Sequence, residues 1–142
     1  MNQQKILLID DDRFLLDMYE LKLKDAGFTV AKRQNCAGDF IGDIINTAPD
    51  LISLDIVMPP PDGFNACAML KADPRTRDIP VFFLDNLGQQ EDIDKGLSLG
   101  AVGYVIKAEA TPSEVANIYV TYLKDPQNFA KVKMRGLHLP NS

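Results

Sequence analysis

The chain has 142 residues, 46% of them hydrophobic and 25% charged, with a net charge of −5. That length suits one domain with a buried core, and the acidic balance lacks the basic footprint of a general nucleic-acid binder. No apolar run approaches the ~20 residues of a membrane span, and the opening MNQQKILLID has no signal-peptide layout. A cytoplasmic protein is expected. The two cysteines, Cys36 and Cys67, show no metal-ligand spacing and read as small buried hydrophobes.

In chain order, Lys5 to Ile9 is a short apolar strand closed by Asp10, Asp11 and Asp12. One of these three carboxylates is expected to cap the helix that follows. In that helix Leu15, Met18, Tyr19, Leu23 and Ala26 share one face of a 3.6-residue period, Phe14 and Leu21 lie off it, and Gly27 ends it. Phe28 to Lys32 reads as a second strand, and Ala37 to Thr47 as a weaker helix containing Gly38 and Gly42.

Leu51 to Leu54 is apolar throughout, as in a strand buried on both faces. It ends on Asp55 and cannot continue through Pro59, Pro60 and Pro61. Helix is expected from Gly63 to Lys71, strand from Val81 to Leu84 with Asp85 at its end, and helix from about Gln89 to Leu99. Val102 to Ile106 reads as the fifth strand, with Lys107 at its end. Thr111, Pro112 and Glu114 form a capping-box start for a last helix to Lys124, with Val115, Ile118, Tyr119 and Tyr122 facing inward. Residues 125–142 read as a polar, mildly basic tail or linker without periodicity, in which His138 is a solvated surface residue.

Five strands alternating with five helices imply right-handed crossovers and a doubly wound parallel sheet. Ligands collect at the carboxyl edge of such sheets, and that edge gathers Asp10, Asp11, Asp55, Asp85 and Lys107. Crowded carboxylates require a compensating cation. Hard oxygen ligands at a loop edge suit Mg²⁺, with Mn²⁺ as a substitute. A carboxylate beside such an ion and a lysine can take up a phosphoryl group as an aspartyl-phosphate.

The segments KILLIDDD, SLDIVMPPPDGF, IPVFFLDN and GAVGYVIKA, in that register, resemble the receiver domain of bacterial two-component response regulators over residues 5 to about 124. The resemblance implies a flavodoxin-like sheet of order 2-1-3-4-5, with residues 1–124 as the receiver and 125–142 as the tail. It implies that Asp10 and Asp11 hold the metal with Asp55 and the backbone of Val57, that Asp55 accepts the phosphoryl group, and that Lys107 contacts it. Tyr104 stands where the family carries its rotating switch aromatic.

Three positions depart from the family pattern: Asp85 replaces a Thr or Ser, Asn86 an Ala or Gly, and Ala108 a cis proline. The Lys107–Ala108 bond is therefore expected to be trans, since a non-proline cis bond costs about 2.5–4 kcal/mol. Asp85 is expected to tighten metal binding, weaken the phosphorylated state and uncouple Tyr104.

A stand-alone receiver is expected, phosphorylated by a histidine kinase or histidine phosphotransfer protein and signalling by contact with a further protein, without direct nucleic-acid binding or membrane insertion. Phe14 is a candidate docking contact for the kinase. The alternative is a phosphorylation-independent pseudo-receiver that acts as an interaction module. Enzymes on similar sheets fit poorly. A haloacid-dehalogenase-like phosphatase needs an Asp where Val57 stands, and a flavodoxin needs a glycine- and hydroxyl-rich loop where the acid cluster stands.

Overall fold

A computed structural model describes residues 3–140. The elements in order are β1 (Lys5–Ile9), α1 (Arg13–Asp25), β2 (Thr29–Arg33), α2 (Phe40–Thr47), β3 (Leu51–Leu54), α3 (Gly63–Ala72), β4 (Val81–Asp85), α4 (Gln90–Ser98), β5 (Gly103–Ile106), α5 (Pro112–Lys124) and β6 (Leu137–His138). The sheet order is β2-β1-β3-β4-β5-β6, with the first five strands parallel and β6 antiparallel to β5. The doubly wound five-stranded core is as expected, and β6 is an addition to it.

Strand period 2 divides the core in two. Leu7, Ile9, Ile52, Leu54 and Phe83 pack with Phe40, Ile44, Phe64, Leu70 and Ile93 of α2, α3 and α4. Ile6, Leu8, Leu51, Phe82 and Val105 pack with Leu16, Tyr19 and Leu23 of α1 and Val115, Ile118 and Tyr119 of α5. Both faces are covered, so β1, β3, β4 and β5 are apolar almost without interruption. Ser53 is a polar exception, and its hydroxyl shares a 2.6 Å hydrogen bond with that of Tyr119.

Helix ends follow local chemistry. The Asp12 carboxylate accepts the Phe14 and Leu15 N–H groups at 3.0 and 3.2 Å, so Asp12 is the cap among the three adjacent acids. Thr111 and Glu114 form the expected reciprocal capping box. Asp39 accepts the Gly42 N–H and caps α2, which leaves residues 37–39 outside the helix expected there.

The inner face of α1 differs from its expected stripe. Leu16, Tyr19 and Leu23 are buried, Leu15 and Met18 are half-buried, and Ala26 is exposed beyond the helix end. Phe14 and Leu21 are 75% and 60% exposed, as expected.

The tail is structured where no element was expected. A 3₁₀ turn over Pro126–Lys131 drives Phe129 edge-on against Phe82 and Tyr122, with ring centroids at 5.7 and 5.1 Å. The chain then returns so that His138 pairs with Tyr104 and Leu137 with Val105. His138 is thus a half-buried strand residue, not a freely solvated one. The Ile106 N–H donates to the Gly136 carbonyl at 3.0 Å.

Because Phe129 anchors this return, Phe129→Ala should lower the unfolding free energy by about 3 kcal/mol and accelerate amide exchange at Ile106. Denaturant unfolding and exchange on the full chain check both, and an unchanged midpoint with unchanged Ile106 exchange would show that the tail does not support the sheet.

Candidate functional site

The carboxyl ends of β1, β3, β4 and β5 open into a cleft of about 430 Å³ lined by Asp10, Asp11, Asp12, Asp55, Val57, Asp85, Asn86 and Lys107, with Leu15 and Leu87 at its sides. Asp10 directly follows β1, and its backbone N–H donates to the Arg33 carbonyl at 3.1 Å. Asp55 directly follows β3, with its N–H on the Ile9 carbonyl at 2.9 Å. The start of α3 closes in from behind. A Cβ on Gly63 would lie 2.1 Å from the Asp55 carbonyl oxygen, so only glycine admits this approach.

Carboxylate oxygens of Asp10, Asp11 and Asp55 all lie within 4.8 Å of one another. Asp10 and Asp55 are buried, at 4% and 5% exposure, and Asp11 is exposed. Lys107 Nζ donates to Asp10 Oδ2 at 2.6 Å and to Asp55 Oδ1 at 3.4 Å. Asp10 Oδ1 also accepts the Asp12 N–H at 2.9 Å. Three oxygen donors on two buried strand ends and one loop fit a hard divalent cation such as Mg²⁺, whose remaining positions stay with water.

Asp85 is buried at the end of β4 but does not join Lys107. Its Oδ2 accepts the N–H groups of Ile56 at 2.9 Å and Val57 at 3.3 Å, and its Oδ1 accepts that of Leu87 at 2.9 Å. Asn86 Oδ1 accepts the Ala108 N–H at 2.8 Å. The Lys107–Ala108 bond is trans, Pro60–Pro61 being the cis bond among the described residues, and Lys107–Glu109 form a 3₁₀ turn.

Tyr104 is fully buried, and its hydroxyl donates to the Leu87 carbonyl at 2.5 Å. Leu87 thus donates its N–H to Asp85 and accepts the Tyr104 hydroxyl at its carbonyl. Asp85 and Tyr104 are linked through Leu87, the carboxylate supplying an acceptor for the loop after β4. Leu87 and the N–H of Ile56 are additions to the expected site. They act through backbone groups, which every residue carries, so no side-chain motif marks them.

Proton affinities diverge across the site. Burial, then the hydrogen bond with Asp85, pushes Asp55 up to about 9, against the pull of Lys107. Burial also opposes charge on Asp85, but the Asp55 hydrogen bond and the Ile56, Leu87 and Val57 N–H groups hold it below the usual range. Burial disfavours the Lys107 ammonium, yet its hydrogen bond to Asp10 and the neighbouring carboxylates hold its pKa above the usual value. Without a cation, Asp55 is thus the carboxyl that keeps a proton and Asp85 the one that keeps a charge.

A doubly wound parallel sheet with an acid cluster and a lysine at its carboxyl edge is the arrangement of a receiver domain. The response regulator receiver domain family matches residues 6–119, and the chain belongs to that family. It is 39% identical over 104 residues to the "DNA-binding dual master transcriptional regulator RpaA" of a Synechocystis species, covering 72% of this chain and 42% of that protein. It is 30% identical over 141 residues to the phosphate regulon transcriptional regulatory protein PhoB of Klebsiella pneumoniae, covering 98% of this chain and 61% of that one. The chain therefore spans roughly two-fifths to three-fifths of the length of these curated relatives. A two-component response regulator from Clostridium difficile shares the fold with a TM-score of 0.78 at 24% identity, over 88% of this chain and 99% of that one.

The raised Asp55 has a stability consequence. Its proton is retained in the fold and lost in the unfolded chain, so its contribution is fully present below the ordinary aspartate range and is lost as pH rises toward about 9. Asp55→Asn should accordingly stabilise the metal-free protein at pH 8 by at least about 1 kcal/mol, with the difference vanishing near pH 4. Denaturant midpoints of the two proteins across that range, in chelator, provide the check.

Proposed function

We propose that the chain is a receiver in which Asp55 accepts a phosphoryl group from a histidine kinase or a histidine phosphotransfer protein. The observation that carries this reading is Lys107 Nζ standing between Asp10 and Asp55 in a cluster of three carboxylates. In the transfer, an Asp55 oxygen attacks phosphorus, the bond to the donor histidine nitrogen breaks, and the imidazole leaves with that electron pair. Asp55 must be unprotonated to attack. Mg²⁺, or Mn²⁺ in its place, would be held by Asp10, Asp11, Asp55 and the backbone of Val57, and would supply charge neutralisation at the phosphoryl oxygens. Lys107 contacts the transferred group and offsets its charge.

The chain acts as a phosphoacceptor of the cytoplasm, not a turnover enzyme, and passes its signal by protein contact. The acidic balance supports protein contact over nucleic acid, and no helix among the described residues is long and apolar enough to cross a membrane. The exposed Phe14, at the site end of α1, is the contact we assign to the kinase's helical domain.

A second reading, a module indifferent to phosphate, is favoured by one observation: Asp85 already occupies the Ile56 and Val57 N–H groups beside Asp55. Labelling with acetyl phosphate and Mg²⁺ separates the two. The first reading expects a hydroxylamine-labile, metal-dependent label on wild type and none on Asp55→Asn. No label on either protein selects the second reading, and equal labelling of both would show that Asp55 is not the acceptor.

A further inference from the structure

The three departures from the receiver pattern, at Asp85, Asn86 and Ala108, make two adjoining groups of hydrogen bonds joined by the Asp85–Asn86 backbone. A carboxylate has two acceptor oxygens, and those of Asp85 reach different loops: Ile56 and Val57 after β3, and Leu87 after β4. A single hydroxyl oxygen at this position could not spread over both. Asn86 accepts the N–H of Ala108 after β5. An alanine at 86 would offer no acceptor, and a proline at 108 would offer no donor, so these two departures complete each other.

The Asp85 group extends inward through Leu87, whose carbonyl takes the Tyr104 hydroxyl. The ring lies against Phe83, with centroids 5.9 Å apart. It fits under α4 because residue 96 is glycine, where a Cβ would come within 3.1 Å of Tyr104 Cδ2 and 2.9 Å of Phe83 Cδ2. Tyr104 in turn pairs with His138 of β6.

We propose that Asp85, with Asn86, is a positioning residue: it holds the loops after β3, β4 and β5, and through Leu87 the Tyr104 ring, in one closed arrangement that needs no phosphoryl group. The buried Asp85 carboxylate supplies from within the chain the negative charge that gathers these N–H donors. A new anion on Asp55 then meets Ile56 and Val57 N–H groups already taken, and must share them or displace Asp85. The closed arrangement precedes any phosphoryl transfer and does not rest on Asp55 being an acceptor.

The test is amide exchange by NMR on the full chain, without metal or phosphoryl donor, with the core amide of Ile118 as reference. Asp85→Ala should accelerate exchange at Ile56 and Leu87 at least tenfold relative to Ile118 and move the Tyr104 ring resonances. With Mg²⁺ present, beryllofluoride should bind Asp85→Ala at least tenfold more tightly than wild type. Unchanged exchange at Ile56 and Leu87, or an unmoved Tyr104 ring, overturns the proposal. Should Asp85→Ala not fold, Asp85→Asn is measured instead. Its single acceptor oxygen should release either Ile56 or Leu87 tenfold, and protection of both at wild-type level overturns the proposal. Beryllofluoride binding to neither protein counts against phosphoryl acceptance at Asp55, and the exchange result still decides the role of Asp85.

Discussion

Buried carboxylates held side by side by a sheet are the constraint on which the loops depend. Two unit charges about 4 Å apart repel by roughly 4 kcal/mol at an effective dielectric of ~20, and here the strand ends allow no retreat. Asp10 and Asp55 are fixed by ladder hydrogen bonds on adjacent strands, and Gly63 presses the start of α3 onto the Asp55 backbone. Each acid is accommodated differently. Asp10 takes Lys107, Asp55 has its proton affinity raised by burial while no cation is bound, and Asp85 takes backbone N–H groups. Asp11 stays in solvent. Charge is thus sorted by which partner each strand end can reach.

Asp85 shows why charge alone is an incomplete guide. Counted as a charge, it burdens an already negative site and competes for Lys107. Placed in the fold, it meets three backbone donors whose partial positive charge compensates it locally. Lys107 is left to Asp10 and Asp55, and the loop that Tyr104 depends on is tied down.

Much of the architecture was legible in the residues because its signals are local or repeated. Apolar strands ending on acids, a proline break and a capping box mark β1, β3 and α5, and the topology then brings Asp10, Asp55 and Lys107 together. The burial of Leu16 was harder to read, since a wide apolar stripe on α1 admits more than one rotation and packing against α5 selects it. The tail was illegible for a different reason. Two residues are too few to show a strand period, and Phe129 has no spacing relation to the Phe82 and Tyr122 rings it meets. Hydrogen bonds to the backbone of Ile56 and Leu87 leave no trace in residue identity.

The two borders of the five-stranded parallel part of the sheet are closed by different means. At β2, Lys32 and Arg33 line the border and are held by Asp17, Glu20 and Asp43, a charged margin that disfavours pairing with another chain. At β5 the sequence is Gly-Tyr-Val-Ile, buried throughout and without a charge, and β6 is what covers it. A proteolytic cut between Lys131 and Gly136 would therefore do more than shorten the tail. It would bare an apolar strand with unpaired N–H and C=O groups, a template for strand addition by another copy of the chain and a starting point for aggregation.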